Sequence, residues 1–167
     1  LVKFLFMDCE RVMMYVRLYF TAEGKAMKVF HARDGQGIAS WHAAGFRSGI
    51  ISGRGAAEII GRRADELGMS YVRTGSRDKV AVLHAIISEA GVSLDEVAYI
   101  GDDLGDVEVL KMVGLPVAVA DAAVESVWTG PDGLLEAAHA GQVLVDCSTI
   151  TPATIRGLEA AVRATGA

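Results

Sequence analysis

Four short polar segments of this chain each follow an apolar stretch, and together they carry the groups that a phosphoryl-transfer reaction needs. Asp8 supplies a carboxylate, Ser52 a hydroxyl and Lys79 an ammonium group, while residues 102–106 supply an acidic cluster. A carboxylate that attacks phosphorus needs a divalent cation, a hydroxyl or amide donor and a fixed positive charge around the transferred group. One Asp alone would predict only a helix or turn cap, but four compatible segments predict a phosphoryl-transfer site.

The acidic segment contains three aspartates, Asp102, Asp103 and Asp106, and it follows a predicted strand as Asp8 does. Carboxylates crowded together repel one another unless a cation lies between them. A few hard oxygen ligands, completed by the oxygens of a substrate phosphate, are typical of Mg²⁺ rather than of Zn²⁺ or Ca²⁺. The residues therefore predict a magnesium site in which Asp8 and the later aspartates take part.

The remaining polar groups allow a functional and a structural interpretation. Ser52 and Gly53 follow an apolar run, so the hydroxyl and the loop amides could bind phosphate oxygens or could simply form a turn. Lys79 opens a predicted helix, where the helix dipole disfavours a cation unless a phosphate or an acidic cluster lies nearby. Arg33 and Arg54 suit a carboxylate or phosphate on a substrate, although Arg33 could serve a turn alone.

The apolar pattern predicts the elements that bring these groups together. Residues 2–7 form an apolar run that is typical of a strand covered on both faces. Further strands are predicted at 48–52, 71–74, 97–100 and 116–120, and helices at 34–45, 56–67, 79–90 and 106–113. Single helices between strands indicate parallel βαβ units, and loops at the carboxyl ends of such strands line the ligand crevice. The predicted fold class is therefore α/β.

One segment departs from this alternation of strands and helices. Between residues 17 and 30 apolar side chains alternate on either side of a turn that contains Gly24, which predicts a β-hairpin. A hairpin this short is marginally stable by itself. We therefore expect it to pack on the domain or on another subunit.

Length and composition bound the class of protein. The 167 residues, 51% hydrophobic and 22% charged, predict one compact domain, and the net charge of −5 argues against a nucleic-acid surface. No apolar run approaches the roughly 20 residues that span a bilayer, and the first residues predict a strand rather than a signal peptide. Cys9 and Cys147 lack metal-type spacing, so reduced thiols and a cytoplasmic location are expected.

The character of the chain changes after residue 120. Residues 122–128, 134–140 and 152–164 predict helices and residues 142–146 a strand, but none of them carries a group that the site needs. We therefore predict a core at 1–120 and an atypical α/β extension at 121–167.

Residues 2–120 resemble a known family. The segments that carry the resemblance are Arg17-Leu18-Tyr19-Phe20, Met27-Lys28-Val29-Phe30, Arg33-Asp34-Gly35, Ile50-Ile51-Ser52-Gly53-Arg54, Asp78-Lys79 and Ala98-Tyr99-Ile100-Gly101-Asp102-Asp103-Leu104. They resemble the haloacid dehalogenase superfamily of phosphotransferases, and within it the small 3-deoxy-D-manno-octulosonate 8-phosphate phosphatases of lipopolysaccharide biosynthesis. The resemblance implies a three-layer Rossmann-like parallel sheet, with a β-hairpin inserted after the first strand and no large cap.

The resemblance also implies roles for residues. Asp8 would be phosphorylated while Ser52 and Lys79 hold the phosphoryl group. Mg²⁺ would be bound by Asp8 and Asp102 with help from Glu10. The further implied positions are Asp103 and Asp106 for the metal and Arg33, Gly53 and Arg54 for the substrate. The substrate would be a small phosphorylated sugar acid, and the hairpin would assemble a homotetramer.

The first motif departs from the family pattern Asp-x-Asp-Gly, because this chain has Glu10 and Arg11 at the last two positions. The second acid of that motif normally protonates the leaving group and then activates water. Glu10 keeps a carboxyl group that is one methylene longer, and misplacement by about 1 Å can cost about a hundredfold in rate. Arg11 replaces a glycine that tolerates any backbone angle. We expect weakened catalysis; the alternative is an inactive oligomerisation module.

The tail resembles a different family. Residues 130–135 and 145–152 are similar to part of the nucleotide-binding domain of 3-hydroxyisobutyrate-type dehydrogenases. The Gly-rich dinucleotide loop that would follow the first strand is absent from the sequence, so NAD binding by that route is not expected. A dehydrogenase fragment is the third hypothesis for function, and it rests on the tail alone.

Overall fold

The computed structural model describes residues 1–10, 12–14, 19–20, 22, 26–55, 57–119, 128–129, 134–137, 145–146 and 152–166. Its strands are β1 Phe4–Met7, β2 Tyr19–Phe20, β3 Ala26–Met27, β4 Arg47–Ser52, β5 Tyr71–Thr74, β6 Val97–Gly101, β7 Leu115–Ala118 and β8 Val145–Asp146. Its α-helices are α1 Ala32–Ala43, α2 Ala57–Leu67, α3 Lys79–Ala90, α4 Val107–Met112, α5 Leu134–Ala137 and α6 Pro152–Thr165. The predicted α/β class is confirmed.

The main sheet has six parallel strands in the order β5-β4-β1-β6-β7-β8. From β1 the chain first moves outwards to β4 and β5, and it then returns to the other side of β1 to form β6. Met7 at the end of β1 is level with Ile50 of β4 and with Ile100 of β6. This reversal creates the crevice in which open α/β sheets bind ligands.

Helices cover both faces of the sheet and give the three predicted layers. On one face, Phe4 and Phe6 of β1 share a buried cluster with Leu83 and Ile86 of α3. On the other face, Met7 packs in a cluster with Ile38 of α1 and with residues of α2. The strands read as apolar runs because both of their faces are buried.

Most of the predicted bounds shift by one or two residues, and two of these shifts have a visible cause. Helix α1 begins at Ala32 rather than at residue 34, because the His31 side chain accepts a hydrogen bond from the Arg33 amide at 3.1 Å and caps the helix. The predicted helix at 106–113 is divided, since Leu104–Asp106 forms a 3₁₀ turn before α4 begins at Val107. Helix α3 matches its predicted bounds and ends at Gly91, whose φ of 65° is left-handed.

The segment between β1 and α1 contributes the predicted hairpin. Strands β2 and β3 pair antiparallel, with Tyr19 opposite Met27 and Phe20 opposite Ala26. Phe20 is 66% exposed, and Tyr19, Met27 and Val29 are exposed as well. Arg17, Leu18 and most of the turn lie outside the described residues. Only residues 8–31 separate β1 from α1, so no domain-sized cap is inserted there.

The C-terminal extension joins the same sheet where it is described. Strand β8 pairs parallel with β7, and Leu158 of α6 belongs to the same buried cluster as Phe4. The predicted helix at 122–128 lies almost entirely outside the described residues. The division at residue 120 stays a prediction. Within the described part of the chain, no helix combines the length and the apolarity needed to cross a membrane.

Candidate active site

The carboxyl ends of β1, β4 and β6 bring the predicted polar groups into one cleft. The Asp8 amide donates to the Ile100 carbonyl at 2.9 Å, which extends the parallel ladder by one residue and holds Asp8 beside β6. Ser52 is the last residue of β4 and is buried. The cleft has a volume of about 350 Å³. Its lining residues are Asp8, Glu10, Ser52, Gly53, Arg54, Arg77, Lys79, Asp103 and Gly105.

Lys79 is a buried cation between two carboxylates. Its Nζ lies 3.1 Å from Asp8 Oδ2 and 2.7 Å from Asp106 Oδ1. Burial lowers the pKa of Lys79, but the Asp106 and Asp8 carboxylates outweigh burial and raise it above its ordinary value. These acids supply the negative charge that offsets the unfavourable helix dipole at a lysine that opens a helix. Asp78 caps that helix by accepting from the Ala81 amide at 2.9 Å.

Asp106 organises the site through both of its carboxylate oxygens. Oδ1 accepts from Lys79 Nζ and from the Tyr99 hydroxyl, each at 2.7 Å. Oδ2 accepts from the amides of Asp102 and Asp103, each at 3.3 Å. Burial and then the Asp106 charge raise the pKa of Tyr99 well above its ordinary value, so the phenol stays protonated and donates. Asp106 therefore fixes both Lys79 and the loop that carries Asp102.

A glycine makes this arrangement possible. A Cβ built on Gly101 would lie 2.5 Å from Asp106 Cβ and 2.7 Å from its carboxyl carbon. Any larger residue at this position would displace the Asp106 carboxylate from its four donors. The end of β6 must therefore be glycine for the loop to close over the site.

Burial disfavours the charged form of the Asp8 carboxyl group. Its Oδ1 accepts from the Cys9 amide at 2.7 Å, and its Oδ2 faces Lys79. Burial raises the pKa of Asp8, Lys79 opposes that rise and Asp106 adds to it, and the net result is a raised pKa. The group is therefore a carboxylate held ready in a site where further positive charge would stabilise it.

Three of the five predicted metal residues converge. Oxygens of Asp8, Asp102 and Asp106 lie within 4.8 Å of one another, and all three side chains are buried. With Lys79 these groups have a formal charge of −2, from three carboxylates and one ammonium. A divalent cation beside Asp8 and Asp102 would offset this charge. The all-oxygen donor set fits Mg²⁺.

The other two predicted metal residues lie apart from that group. The Asp103 side chain is exposed and accepts from the Leu104 amide at 2.7 Å, which caps the 3₁₀ turn. Glu10 Oε1 lies 2.7 Å from Lys28 Nζ, and Oε2 pairs with Arg54 Nε. Both oxygens of Glu10 are therefore bound by cations. In this conformation neither oxygen of Glu10 is available to donate a proton or to activate water.

Of the three substrate-binding residues implied by the resemblance, two line the cleft and one does not. Gly53 and Arg54 line the cleft beside Ser52, whose hydroxyl accepts from the Arg54 amide at 3.3 Å. Arg33 lies in the exposed first turn of α1 and is not part of the cleft lining. Its role in substrate binding stays a prediction. Arg11 lies outside the described residues.

Three groups around the cleft carry roles that the sequence does not predict. Tyr99 supports Asp106, and its only signal in the sequence was a hydroxyl within an otherwise apolar strand. Lys28 pairs with Glu10 across 18 residues, a contact that no local pattern reveals. Arg77 stands two residues before Lys79 and lines the cleft, and its position beside a predicted site residue was a usable signal.

Comparison with known proteins identifies the family. A family model described as haloacid dehalogenase-like hydrolase matches residues 67–127. The 3-deoxy-D-manno-octulosonate 8-phosphate phosphatase of Yersinia pestis is 37% identical over 121 residues, which are 72% of this chain and 64% of that protein. The crystal structure of the Yersinia pestis phosphatase, at 30% identity, superposes with a TM-score of 0.74 over 99% of this chain and 82% of that one. The chain belongs to the haloacid dehalogenase-like hydrolases.

A second solved haloacid dehalogenase-like structure bears on the metal. The 3-deoxy-D-manno-octulosonate 8-phosphate phosphatase of Moraxella catarrhalis was crystallised with a magnesium ion, a phosphate ion and KDO. It is 28% identical and superposes with a TM-score of 0.69 over 98% of this chain and 87% of that one. Both superpositions extend over 98% or more of this chain, and neither supports the dehydrogenase resemblance of the tail.

Proposed function

We propose that this haloacid dehalogenase-like hydrolase is a Mg²⁺-dependent phosphatase of a small sugar-acid phosphate such as 3-deoxy-D-manno-octulosonate 8-phosphate. The observation that carries the proposal is the convergence of buried Asp8, Asp102 and Asp106 within 4.8 Å, with Lys79 between two of them. The Yersinia pestis relative is a phosphatase of that compound, and the Moraxella catarrhalis structure holds magnesium, phosphate and KDO. The chain spans 64% of the Yersinia pestis relative, so the substrate is part of the proposal.

In the first step Asp8 attacks phosphorus in line with the bond to the sugar oxygen. The new bond joins a carboxylate oxygen to phosphorus, the phosphorus–sugar oxygen bond breaks, and an aspartyl-phosphate forms on Asp8. Lys79 lies 3.1 Å from Asp8 and can contact the phosphoryl oxygens at the same time. Ser52 supplies a hydroxyl donor, and the Gly53 amide beside it supplies a second donor. Charge that develops on the phosphoryl oxygens then meets fixed donors rather than mobile water.

Asp8 and Asp102 would hold the magnesium ion, and Asp106 would fix the loop that presents Asp102. When bound, the ion offsets the charge of the carboxylates and of the phosphate, which lets two anions approach each other. The four hydrogen bonds to Asp106 keep Lys79 and Asp102 in a defined relation to Asp8. The chain thus prepares the geometry before the substrate arrives.

Glu10 is the residue we assign to proton transfer. The departing sugar oxygen needs a proton, and the water that later attacks the aspartyl-phosphate must give one up. Glu10 lines the cleft but is paired with Lys28 and Arg54, so it has to leave at least one of these cations to act. We therefore propose that catalysis is weakened in this chain, as the altered first motif predicts.

A specific observation favours a second candidate, an inactive oligomerisation module. Four apolar side chains of the hairpin segment, Tyr19, Phe20, Met27 and Val29, are exposed in the single chain. Exposed apolar groups concentrated on one projection are typical of an interface. The proposed homotetramer would use this hairpin, whether or not the site is active. The homotetramer and the cytoplasmic location both stay predictions.

Phosphate release from a panel of sugar phosphates, measured with Mg²⁺ and with EDTA, tests the phosphatase. We expect release from sugar-acid phosphates that stops on removal of the metal and falls at least 10³-fold in Asp8→Asn. The matched control is Asp65→Asn, which changes an exposed aspartate on α2 and should leave the rate unchanged. Fluoroberyllate, which mimics an acyl-phosphate, should bind wild-type protein only in the presence of Mg²⁺.

Three outcomes separate the candidates. No release from any sugar phosphate, with Asp8→Asn indistinguishable from wild type, would reject the phosphatase. A tetramer that binds neither Mg²⁺ nor fluoroberyllate would favour the oligomerisation module. Phosphate release by wild type that is lost in the Asp8→Asn variant would exclude the inactive oligomerisation module.

A further inference from the structure

Arg77 occupies a distinct position in the cleft. It lies in the loop between β5 and α3, two residues before Lys79, and its side chain is exposed while that of Lys79 is buried. Both residues line the same cleft. The floor and the rim of the cleft therefore each carry a cation from the same short segment.

The charges of the cleft leave Arg77 available. Lys79 is paired with Asp8 and Asp106, and Arg54 is paired with Glu10. Among the residues that the structure describes, no carboxylate forms an ion pair with Arg77. The remaining charged residue of the described lining, Asp103, accepts a hydrogen bond from the Leu104 amide with its carboxylate. Arg77 is thus the lining cation whose charge is not already offset within the described chain.

We propose that Arg77 is a specificity-determining residue that binds the carboxylate of the substrate. This inference rests on the proposed phosphatase function. The phosphoryl group must lie at the floor, beside Asp8, Ser52 and Lys79, so the rest of the substrate extends towards the rim. A carboxylate on that part of the substrate would contact Arg77, whereas the phosphate of a sugar without a carboxylate would not.

The chemistry of the side chain supports a carboxylate. A guanidinium presents parallel donors that match a carboxylate in a bidentate pair, while an ammonium offers a point charge. The position is exposed, so the contact forms in partly solvated surroundings and is weaker than a buried pair. It adds affinity without touching the reacting atoms, and its loss should therefore appear in KM rather than in kcat.

The test compares Arg77→Gln with wild type on two substrates. One is 3-deoxy-D-manno-octulosonate 8-phosphate, which has a carboxylate, and the other is D-arabinose 5-phosphate, which has none. We expect KM for the first to rise about tenfold with kcat within about twofold, and both constants for the second to stay within about twofold. Arg77→Lys should recover part of the loss. The matched control, Arg62→Gln, changes an exposed arginine on α2 that pairs with Glu58 and should alter neither substrate.

A binding measurement keeps this test independent of turnover. Calorimetric titration with 3-deoxy-D-manno-octulosonate should show about tenfold weaker binding to Arg77→Gln, whereas titration with inorganic phosphate should not change. Equal losses for both substrates would assign Arg77 to the phosphoryl group and overturn the inference. So would unchanged constants, or wild-type protein that does not bind the sugar acid. If no sugar phosphate is hydrolysed, the proposed function fails and the titration alone decides on Arg77.

Discussion

Replacement of Glu10 by glutamine tests the arrangement around the first motif most directly. Glu10 Oε1 lies 2.7 Å from Lys28 Nζ, and the Lys28 side chain is only 5% exposed. Glutamine keeps the size of the side chain and removes its charge. The variant therefore leaves a nearly buried ammonium group without the carboxylate that offsets it.

The expected loss of stability follows from this geometry. At an effective dielectric constant of about 20, two unit charges at this separation attract by about 6 kcal/mol. Desolvation of both groups cancels part of that energy, and breaking a buried pair costs about 3–5 kcal/mol. Glu10 is 18% exposed, and Arg54, its other partner, is 59% exposed and adds little. We expect Glu10→Gln to lose about 2–3 kcal/mol, which lowers Tm by about 5–10 °C in a chain of this size.

Urea and thermal unfolding of four proteins measure this coupling. They are wild type, Glu10→Gln, Lys28→Met and the double variant, with Arg54→Gln as the exposed-partner control. Because each single change orphans the other member of the pair, the double variant should cost clearly less than the sum of the two. A loss below about 0.5 kcal/mol in Glu10→Gln, or strictly additive losses, would refute the buried pair.

The same variant tests the proposed proton transfer. An alkoxide leaving group needs a proton and p-nitrophenolate does not, so Glu10→Gln should reduce kcat for a sugar phosphate by about 10²-fold or more. The rate of aspartyl-phosphate formation from p-nitrophenyl phosphate, measured in the pre-steady state, should fall far less. Equal losses of that step with both substrates would remove Glu10 from the role of acid.

Two further predictions concern buried groups of the site. Asp8→Asn should raise the metal-free Tm by about 2–4 °C at neutral pH, because it removes a buried carboxylate near Asp106. Because the pKa of Asp8 is raised above its ordinary value of 3.8 in the folded state, wild type loses stability relative to the variant as the pH rises above 3.8. Thermal melts should therefore show that the difference in Tm between Asp8→Asn and wild type vanishes near pH 4. Added Mg²⁺ should raise the Tm of wild type only. Burial raises the pKa of the Cys9 thiol to about 12, so in a Cys147→Ser background iodoacetamide at pH 8 should label Cys9 only after unfolding. Rapid labelling of the native protein would contradict this burial.

Much of the fold could be predicted because the strands are apolar runs separated by single helices. β5 and α3 were predicted with their observed bounds, since a turn signal or glycine stands on either side of each. The start of α1 is not predictable from the sequence, because His31 caps the helix and histidine is not among the common N-cap residues. Residues 121–127 lie outside the described part of the chain, so the predicted helix there stays a prediction.

Only the groups of the site that lie at strand ends could be predicted from the sequence. Asp8 and Asp102 follow strands β1 and β6, and Ser52 ends strand β4. These strands lie side by side, and the strand order alone brings the three residues together. The partners of Glu10 were not predictable, because Lys28 reaches it only through the path of the chain around the hairpin. The distinction between Asp103, which caps a turn, and Asp106, which holds Lys79, likewise depends on side-chain direction.

The double pairing of Lys79 has a consequence for the proposed reaction cycle. When Asp8 becomes an acyl phosphate its carboxylate charge is lost, so Lys79 loses one of the two anions that hold it. Asp106 keeps the other contact at 2.7 Å, and Tyr99 with two backbone amides keeps Asp106 in place. Lys79 therefore has a fixed anchor that the chemistry does not consume, and its ammonium group stays directed at the phosphoryl oxygens while water attacks. A site that held this lysine through the nucleophile alone would lose the anchor of this ammonium group at the step that needs it.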